Sequence, residues 1–128
     1  MKNKYLLDTN IVIYYFNGLI FDEVIHSIIQ HSFNISIITK IEFLSWHKLL
    51  EDVELKRRAV AFISFATIYD LDEVVAETVI ANRQQYKIKT PDAIIGATAQ
   101  VHGFEIVTNN VSDFKNLGLK ITSLHLKS

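Results

Sequence analysis

The stretch that most constrains the fold lies near the C-terminus, where a helix of small residues leads directly into a short apolar strand. Thr90 can cap this helix, and Pro91 suits the first helical position because its missing N–H would have no partner within the helix. Gly103 predicts the end of the helix, and residues 105–107 form the strand. A helix that runs into the next strand of a parallel sheet lies antiparallel to that strand. The start of this helix and the far end of the strand therefore meet at one edge of the sheet.

Polar residues lie at the start of this helix and after the end of this strand. Asp92 falls in the first turn of the helix, and the segment 108–113, Thr-Asn-Asn-Val-Ser-Asp, follows the strand. Open α/β sheets bind their ligands at the carboxyl ends of their strands. The sequence therefore predicts a functional site at this edge.

The remainder of the chain alternates apolar, β-branched runs with amphipathic patterns. Strands are predicted at 5–7, 34–39, 66–71 and 105–107 with a final edge strand in the tail, and helices after residue 8 and at 22–30, 40–50, 54–65, 73–85 and 91–102. Strands that alternate with helices are typical of a doubly wound sheet. We therefore predict an α/β fold, a three-layer α/β/α sandwich with a mostly parallel sheet of four or five strands.

Length and composition agree with a single domain spanning residues 1–128. The 128 residues are 49% hydrophobic and 21% charged, which is ordinary for a folded protein rather than for a disordered one. The absence of cysteine excludes a disulfide framework and thiolate zinc sites. The N-terminal apolar run ends at Asp8 after a few residues, too soon for a signal peptide or a membrane span. We expect a soluble, cytoplasmic protein with no membrane partner.

The net charge of −1 bears on possible partners. Because there is no global basic field, a nucleic acid would have to be held by a local basic patch or through a metal ion. Lys87 and Lys89 lie close in sequence to Asp92. A contact with phosphate is one interpretation of these lysines, and a solvated surface is the other.

Three acidic residues from distant parts of the chain fall at the predicted edge: Asp8, Glu42 and Asp92. Taken alone, Asp8 could be a helix cap or Asx turn, Glu42 the acid of a capping box begun by Thr39, and Asp92 an acid favoured by the helix dipole. Together they would repel one another unless a cation joined them. Oxygen ligands without cysteine or a histidine cluster suit Mg²⁺ or Mn²⁺, ions that commonly promote phosphodiester hydrolysis by activating water.

At these residues the sequence resembles the PIN-domain ribonucleases, in particular the VapC-type toxins of prokaryotic toxin–antitoxin modules. The resemblance spans essentially the whole chain and rests on four motifs in order: Leu6-Leu7-Asp8-Thr9-Asn10, Glu42 after the second strand, Thr90-Pro91-Asp92-Ala93, and Val107-Thr108-Asn109-Asn110-Val111-Ser112-Asp113-Phe114. It implies a Mg²⁺- or Mn²⁺-dependent endoribonuclease that is usually homodimeric. It also implies a small antitoxin partner whose C-terminal segment occupies the active-site groove.

The same resemblance implies roles for individual residues. The acidic metal-site residues would be Asp8, Glu42 and Asp92, and the residues that orient them or the substrate would be Thr9, Asn10 and Thr108. Many relatives carry an acid directly after the Thr-x pair, where this sequence has Asn110. We expect the nearby Asp113 to supply the fourth carboxylate, directly or through water. The alternative is that Asp113 only caps a short helix beginning around Phe114.

Two other functions fit parts of the pattern. Asp8-Thr9-Asn10 loosely resembles the start of the haloacid-dehalogenase-like phosphohydrolases, in which the nucleophilic aspartate is followed two residues later by a second one. Asn10 occupies that second position, and no later lysine motif is evident. The other alternative is a non-catalytic nucleic-acid-binding module with the same fold. The amide at Asn110 would suit such a module, whereas the three remaining acids argue against it.

Overall fold

The computed structural model describes residues 4–20 and 22–123. This part of the chain contains five strands, β1 (Tyr5–Leu7), β2 (Asn34–Ser36), β3 (Thr67–Tyr69), β4 (Glu105–Val107) and β5 (Ile121–Thr122). Its helices are α1 (Thr9–Phe16), α2 (Glu23–His31), α3 (Ile37–Leu44), α4 (Lys48–Glu51), α5 (Val53–Ile63), α6 (Glu73–Gln85), α7 (Thr90–His102) and α8 (Val111–Phe114), the last continued by a 3₁₀ turn at Lys115–Leu117. The predicted alternation of strands and helices is confirmed.

The strands form two parallel ladders. β4 pairs with β1 on one side and with β5 on the other, and β2 pairs with β3. β1 and β2 are neighbours joined by side chains, because Asn34 Nδ2 donates to the Tyr5 carbonyl at 2.9 Å and the Tyr5 N–H donates to Ser32 Oγ at 3.2 Å. The prediction of five mostly parallel strands is confirmed. The continuous backbone ladder of a single sheet is not formed, since polar side chains bridge its middle.

Helices cover both faces of the strands, which gives the predicted three layers. Leu6 pairs with Ile106 and Leu7 with Val107, and adjacent residues of a strand point to opposite faces. The face of Leu7 packs against residues of α1, α2, α3 and α5, namely Ile11, Val12, Ile25, Ile28, Phe43, Ala59 and Ile63. The face of Leu6 packs against residues of α7, α8 and the 3₁₀ turn, namely Ile95, Ala99, Phe114 and Leu117. None of the helices within the two described ranges is long and apolar enough to cross a membrane.

The small residues of α7 allow it to be packed on several sides at once. Ala93 and Ala97 are fully buried in a cluster with Val75 and Val79 of α6. Gly96 faces the 3₁₀ turn, where an added Cβ would lie 2.5 Å from Leu117 Cδ1. This close approach explains why the helix that carries Asp92 is built from alanine and glycine.

The start of α7 differs by one residue from the prediction, whereas its end agrees. The helix begins at Thr90, and Lys89 occupies the cap position without a side-chain cap hydrogen bond. The prediction that Thr90 caps the helix is therefore wrong, because the chain turns one residue earlier and the Lys89 carbonyl accepts the Ala93 N–H at 2.8 Å. Gly103 ends the helix at a φ of 73°, a left-handed conformation that glycine adopts without strain.

The second strand is shorter, and α3 begins earlier, than the sequence predicts. β2 ends at Ser36 and the helix begins at the next residue, so a strand to residue 39 and a helix from residue 40 are wrong. The buried Ser36 hydroxyl accepts the Ile38 N–H at 3.1 Å and caps the helix. Because Ile38 packs against the clusters on the α7 side, tertiary packing outweighs the β propensity of this run. The helix also ends at Leu44, and α4 is a separate element.

Candidate active site

Asp8 is held at the carboxyl end of β1 by the neighbouring strand. Its side chain is 3% exposed, and its backbone N–H donates to the Val107 carbonyl at 3.0 Å. Thr108 Oγ1 donates to one carboxylate oxygen at 2.7 Å, and the Thr9 N–H donates to the other at 2.8 Å. The carboxylate is therefore oriented by β1, β4 and the start of α1, and its bond to the Thr9 N–H is the helix cap that the sequence offered as an alternative.

Glu42 reaches the same place from α3. Thr9 Oγ1 donates to Glu42 Oε1 at 2.6 Å and lies 2.9 Å from Thr39 Oγ1. Because the single hydroxyl proton of Thr9 goes to Glu42, Thr39 is the donor in the second bond. The capping-box explanation of Glu42 is wrong, since Thr39 lies inside α3 and Ser36 caps it.

The supporting role of Thr39 is not evident from the sequence. Its side chain is fully buried and its hydroxyl bonds to that of Thr9, which in turn bonds to Glu42. The signal that could have found it is the spacing of Thr39 and Glu42, which puts both side chains on one face of a helix. The same spacing also matches a capping box, which is the interpretation that the structure excludes.

Asp92 and Asp113 come from the starts of two helices. Asp92 is half-buried in the first turn of α7, and Asp113 is exposed in α8. The alternative that Asp113 caps a helix near Phe114 is wrong, because α8 begins at Val111 and Asn110 occupies its cap position.

The four carboxyl groups interact electrostatically. Burial raises the pKa of Asp92 to about 6, and the negative charges of Asp113, Asp8 and Glu42 add to the rise. Burial also raises the pKa of Asp8, although its hydrogen bonds from Thr108 and Thr9 act in the opposite direction. The charges of Glu42 and Asp113 contribute to that increase as well. The four acids that the sequence singled out thus lie close enough to influence one another electrostatically.

The acids do not form a closed cage. Across residues 4–20 and 22–123, no three His, Cys, Asp or Glu side chains are grouped closely enough to make a ready-made metal site. The four carboxyl groups therefore interact through their charges without forming such a group.

The two asparagines lie at the margin of the site. Asn10 is exposed on α1, and its side chain has no hydrogen bond with any described residue. Asn110 is also exposed, and its backbone N–H donates to Thr108 Oγ1 at 2.9 Å. That bond fixes the hydroxyl which in turn holds Asp8, so Asn110 contributes here through its backbone.

Comparison with known proteins places this arrangement in a family. A family model described as the PIN domain matches residues 5–119. Ribonuclease VapC1 of Rickettsia felis is 35% identical in an alignment of 80 residues, which covers 55% of this chain and 60% of that relative. The chain thus spans about 60% of the length of that relative.

Solved structures resemble the whole fold. A toxin–antitoxin complex from Klebsiella pneumoniae contains a chain that is 34% identical with a TM-score of 0.76, covering 93% of this chain and 96% of that one. A chain of DNA-bound VapBC from Salmonella typhimurium is 25% identical with a TM-score of 0.72, covering 94% of this chain and 97% of that one. The family model spans nearly all of the described residues, and the Klebsiella chain matches them at similar coverage. The chain therefore belongs to the PIN-domain family.

Proposed function

We propose that this protein is a metal-dependent endoribonuclease and the toxin of a prokaryotic type II toxin–antitoxin module. The observation that carries the proposal is the buried Asp8, whose carboxylate accepts the Thr108 hydroxyl and interacts electrostatically with the carboxyl groups of Glu42, Asp92 and Asp113 at the carboxyl edge of a PIN-domain fold. Two relatives point the same way, since one is named a ribonuclease and another belongs to a toxin–antitoxin complex. We also propose that the protein is located in the cytoplasm, as expected for such a toxin.

The donor set fits a hard divalent cation such as Mg²⁺ or Mn²⁺. The side chains that would hold the ion offer carboxylate oxygens only, and the chain has no cysteine to favour a softer metal. The raised pKa of Asp92 reflects in part the repulsion that a bound cation would relieve. When bound, the ion would polarise a phosphoryl oxygen and make water a better nucleophile.

The four acids would have different roles at the metal site. Asp8 and Asp92 would be the principal ligands, Glu42 a ligand or an outer base, and Asp113 the fourth carboxylate. Thr9 and Thr108 would keep these groups in place, because each donates its hydroxyl to one of the acids. The carboxylates would not attack the phosphodiester themselves.

The two alternatives are less well supported. A phosphohydrolase of the haloacid-dehalogenase type would need a second acid two residues after Asp8, and Asn10 stands there. A module that only binds nucleic acid would not need a buried carboxylate at 3% exposure with a raised pKa, because keeping an ionised acid there costs stability. A nuclease function accounts for that cost.

Cleavage of RNA is the first test. Purified protein with labelled single-stranded RNA, single-stranded DNA or a phosphomonoester should cleave only the RNA, with Mg²⁺ or Mn²⁺ and not with EDTA. Asp8→Asn should lower the rate by more than about a hundredfold, since even the outer partners of a metal ligand contribute about 10–100-fold. A far-ultraviolet circular dichroism spectrum would establish that the variant is folded. Equal cleavage by wild type and Asp8→Asn would refute the assignment of the site.

Stability without metal should depend on pH through Asp92. Its pKa is about 6 when folded and about 3.9 in unfolded chains, so between these values the folded protein holds a proton that the unfolded chain has lost. The free energy of unfolding therefore falls as the pH rises from about 4 through 6. In EDTA, Asp92→Asn should gain stability relative to wild type between pH 4 and pH 8, by about 1–2 kcal/mol after allowance for solvent screening.

Urea unfolding of both proteins at the two pH values measures this gain. Glu77→Gln on the exposed face of α6 is the matched control for removing one negative charge. A relative stability of Asp92→Asn that is no higher at pH 8 than at pH 4 would contradict the electrostatic account of the site.

The fourth carboxylate can be identified by metal titration. Asp113→Asn should raise the Mg²⁺ concentration for half-maximal cleavage several-fold, because an amide oxygen binds a hard cation more weakly than a carboxylate does. Asn110→Ala should leave that concentration unchanged, since Asn110 contacts the site through its backbone. Wild-type behaviour of Asp113→Asn would leave three acids at the site.

An antitoxin should recognise the same acidic edge. A guanidinium or ammonium group from the partner would complement the clustered carboxylates in place of the cation. Co-expression with the adjacent small reading frame should yield a complex that copurifies and no longer cleaves RNA. A wild-type nuclease that is harmless to cells and retains no partner would exclude the toxin role. The homodimer stays a prediction, to be measured by light scattering.

A further inference from the structure

A basic cleft borders the acidic site. It has a volume of about 580 Å³ and is lined by Arg83, Tyr86, Lys87, Ile88, Lys89 and Asp113. Asp113 lines the cleft, and Asp92 lies in the first turn of the helix that Lys89 immediately precedes. The cleft is therefore continuous with the place where the reaction would occur, and its volume is within the roughly 300–1,000 Å³ of small-ligand sites.

The cations of this cleft form no ion pair with a carboxylate of the described residues. Arg83, Lys87 and Lys89 are all exposed. Within the two described ranges, the sole ion pair joins Arg57 to Glu54 on α5. Three unpaired positive charges in one cleft form a local basic patch on a chain whose net charge is −1.

Backbone contacts fix the position of this patch. Arg83 Nε donates to the Ile88 carbonyl at 3.1 Å, which ties the end of α6 to the segment leading into α7. The other guanidinium N–H groups have no partner among the described residues. Lys89 directly precedes α7, and its carbonyl accepts the Ala93 N–H at 2.8 Å. The loop that carries the lysines is thus anchored at both ends.

The floor of the cleft differs in chemistry from its rim. Tyr86 and Ile88 are half-buried and pack against the cluster on the Leu6 face of the sheet. The rim is cationic, and the end toward Asp92 is acidic. An anionic group with an attached flat or apolar part matches this combination better than a free inorganic anion does.

We propose that this cleft binds the phosphate of an RNA nucleotide next to the one that is cleaved. The inference rests on the proposed nuclease function and assigns a substrate-binding role to Arg83, Lys87 and Lys89. RNA must approach four carboxylates that repel its phosphates, and the cleft supplies compensating charge at the border of that site. The guanidinium of Arg83 suits two oxygens of one phosphate, and the lysines act as point charges.

Interactions of this kind are made with the RNA backbone, so they do not select a base sequence. The decrease in affinity on removing them should therefore be similar for RNAs of different sequence. Their removal should also reduce the dependence of binding on salt, because each neutralised phosphate releases counterions.

The test uses Asp8→Asn as an uncleaving background and fluorescein-labelled single-stranded RNA. Arg83→Gln, Lys87→Gln and Lys89→Gln should each raise Kd several-fold at low salt for both oligo-U and oligo-A. The slope of log Kd against log salt concentration should fall by about 0.7 for each phosphate that is no longer neutralised. In the cleaving protein, with Asp8 intact, the same variants should raise KM for RNA several-fold with little change in kcat.

Lys120→Gln is the control. Lys120 is an exposed lysine immediately before β5, at the opposite, amino edge of the sheet, and its substitution should change neither Kd nor the salt slope. Thermal melts of each variant separate weaker binding from impaired folding, and Arg83→Lys, which keeps the charge, should retain part of the affinity.

The outcomes separate the two proposals. If wild-type protein does not cleave RNA, the nuclease function fails. If it cleaves RNA and the three cleft variants bind and cleave as the Lys120→Gln control does, only the phosphate-binding role fails. Failure of the cleft variants to copurify the antitoxin, with unchanged RNA binding, would assign the cleft to the antitoxin and overturn the inference.

Discussion

The hydrogen bond from Thr108 to Asp8 is the interaction on which the site depends. It joins residues 100 positions apart in the sequence, at the ends of two paired strands. An ionised carboxylate at 3% exposure is unfavourable unless donors compensate for the water removed from it. The parallel pairing of β1 with β4 supplies such a donor. Leu7 lies directly opposite Val107, and the residues that follow these two strands are Asp8 and Thr108. The fold thus buries the Asp8 carboxylate, and the hydrogen bond from Thr108 offsets part of the cost of that burial.

The other acids are arranged around this fixed point by decreasing burial. Asp8 is buried, Glu42 and Asp92 are half-buried, and Asp113 is exposed. Burial is also the largest cause of the raised pKa of Asp8 and of Asp92, with the neighbouring charges adding to it. A gradient of this kind holds the innermost carboxylate rigidly and leaves the outermost one able to adjust. Such an arrangement suits a site that must admit a polymer rather than enclose a small molecule.

The position of the acidic residues at one edge of the sheet was predicted from the sequence more accurately than the strands and helices that hold them. The predicted order of strands and helices put Asp8, Glu42 and Asp92 at one edge together with the segment 108–113, since the carboxyl ends of parallel strands coincide. It assigned Thr39 to a strand end, because a β-branched run such as 34–39 has no local signal for where tertiary packing will turn it into a helix. The sequence also did not predict the break between the two ladders. This break arises because the side chains of Ser32 and Asn34 bond to the Tyr5 backbone in place of a backbone ladder. Both differences arise from long-range contacts.

The distribution of charge at this edge fits a polyanionic substrate more closely than the net charge does. A net charge of −1 gives no attraction over distance, so binding must be decided locally. The acids would need a bound cation before they could face a phosphate, whereas Arg83, Lys87 and Lys89 form no ion pair with any described residue. The two halves would therefore act on different phosphates, one where the bond is broken and one where the strand is held. Because backbone contacts and metal contacts both ignore base identity, discrimination among RNAs would have to come from groove shape or from base contacts elsewhere.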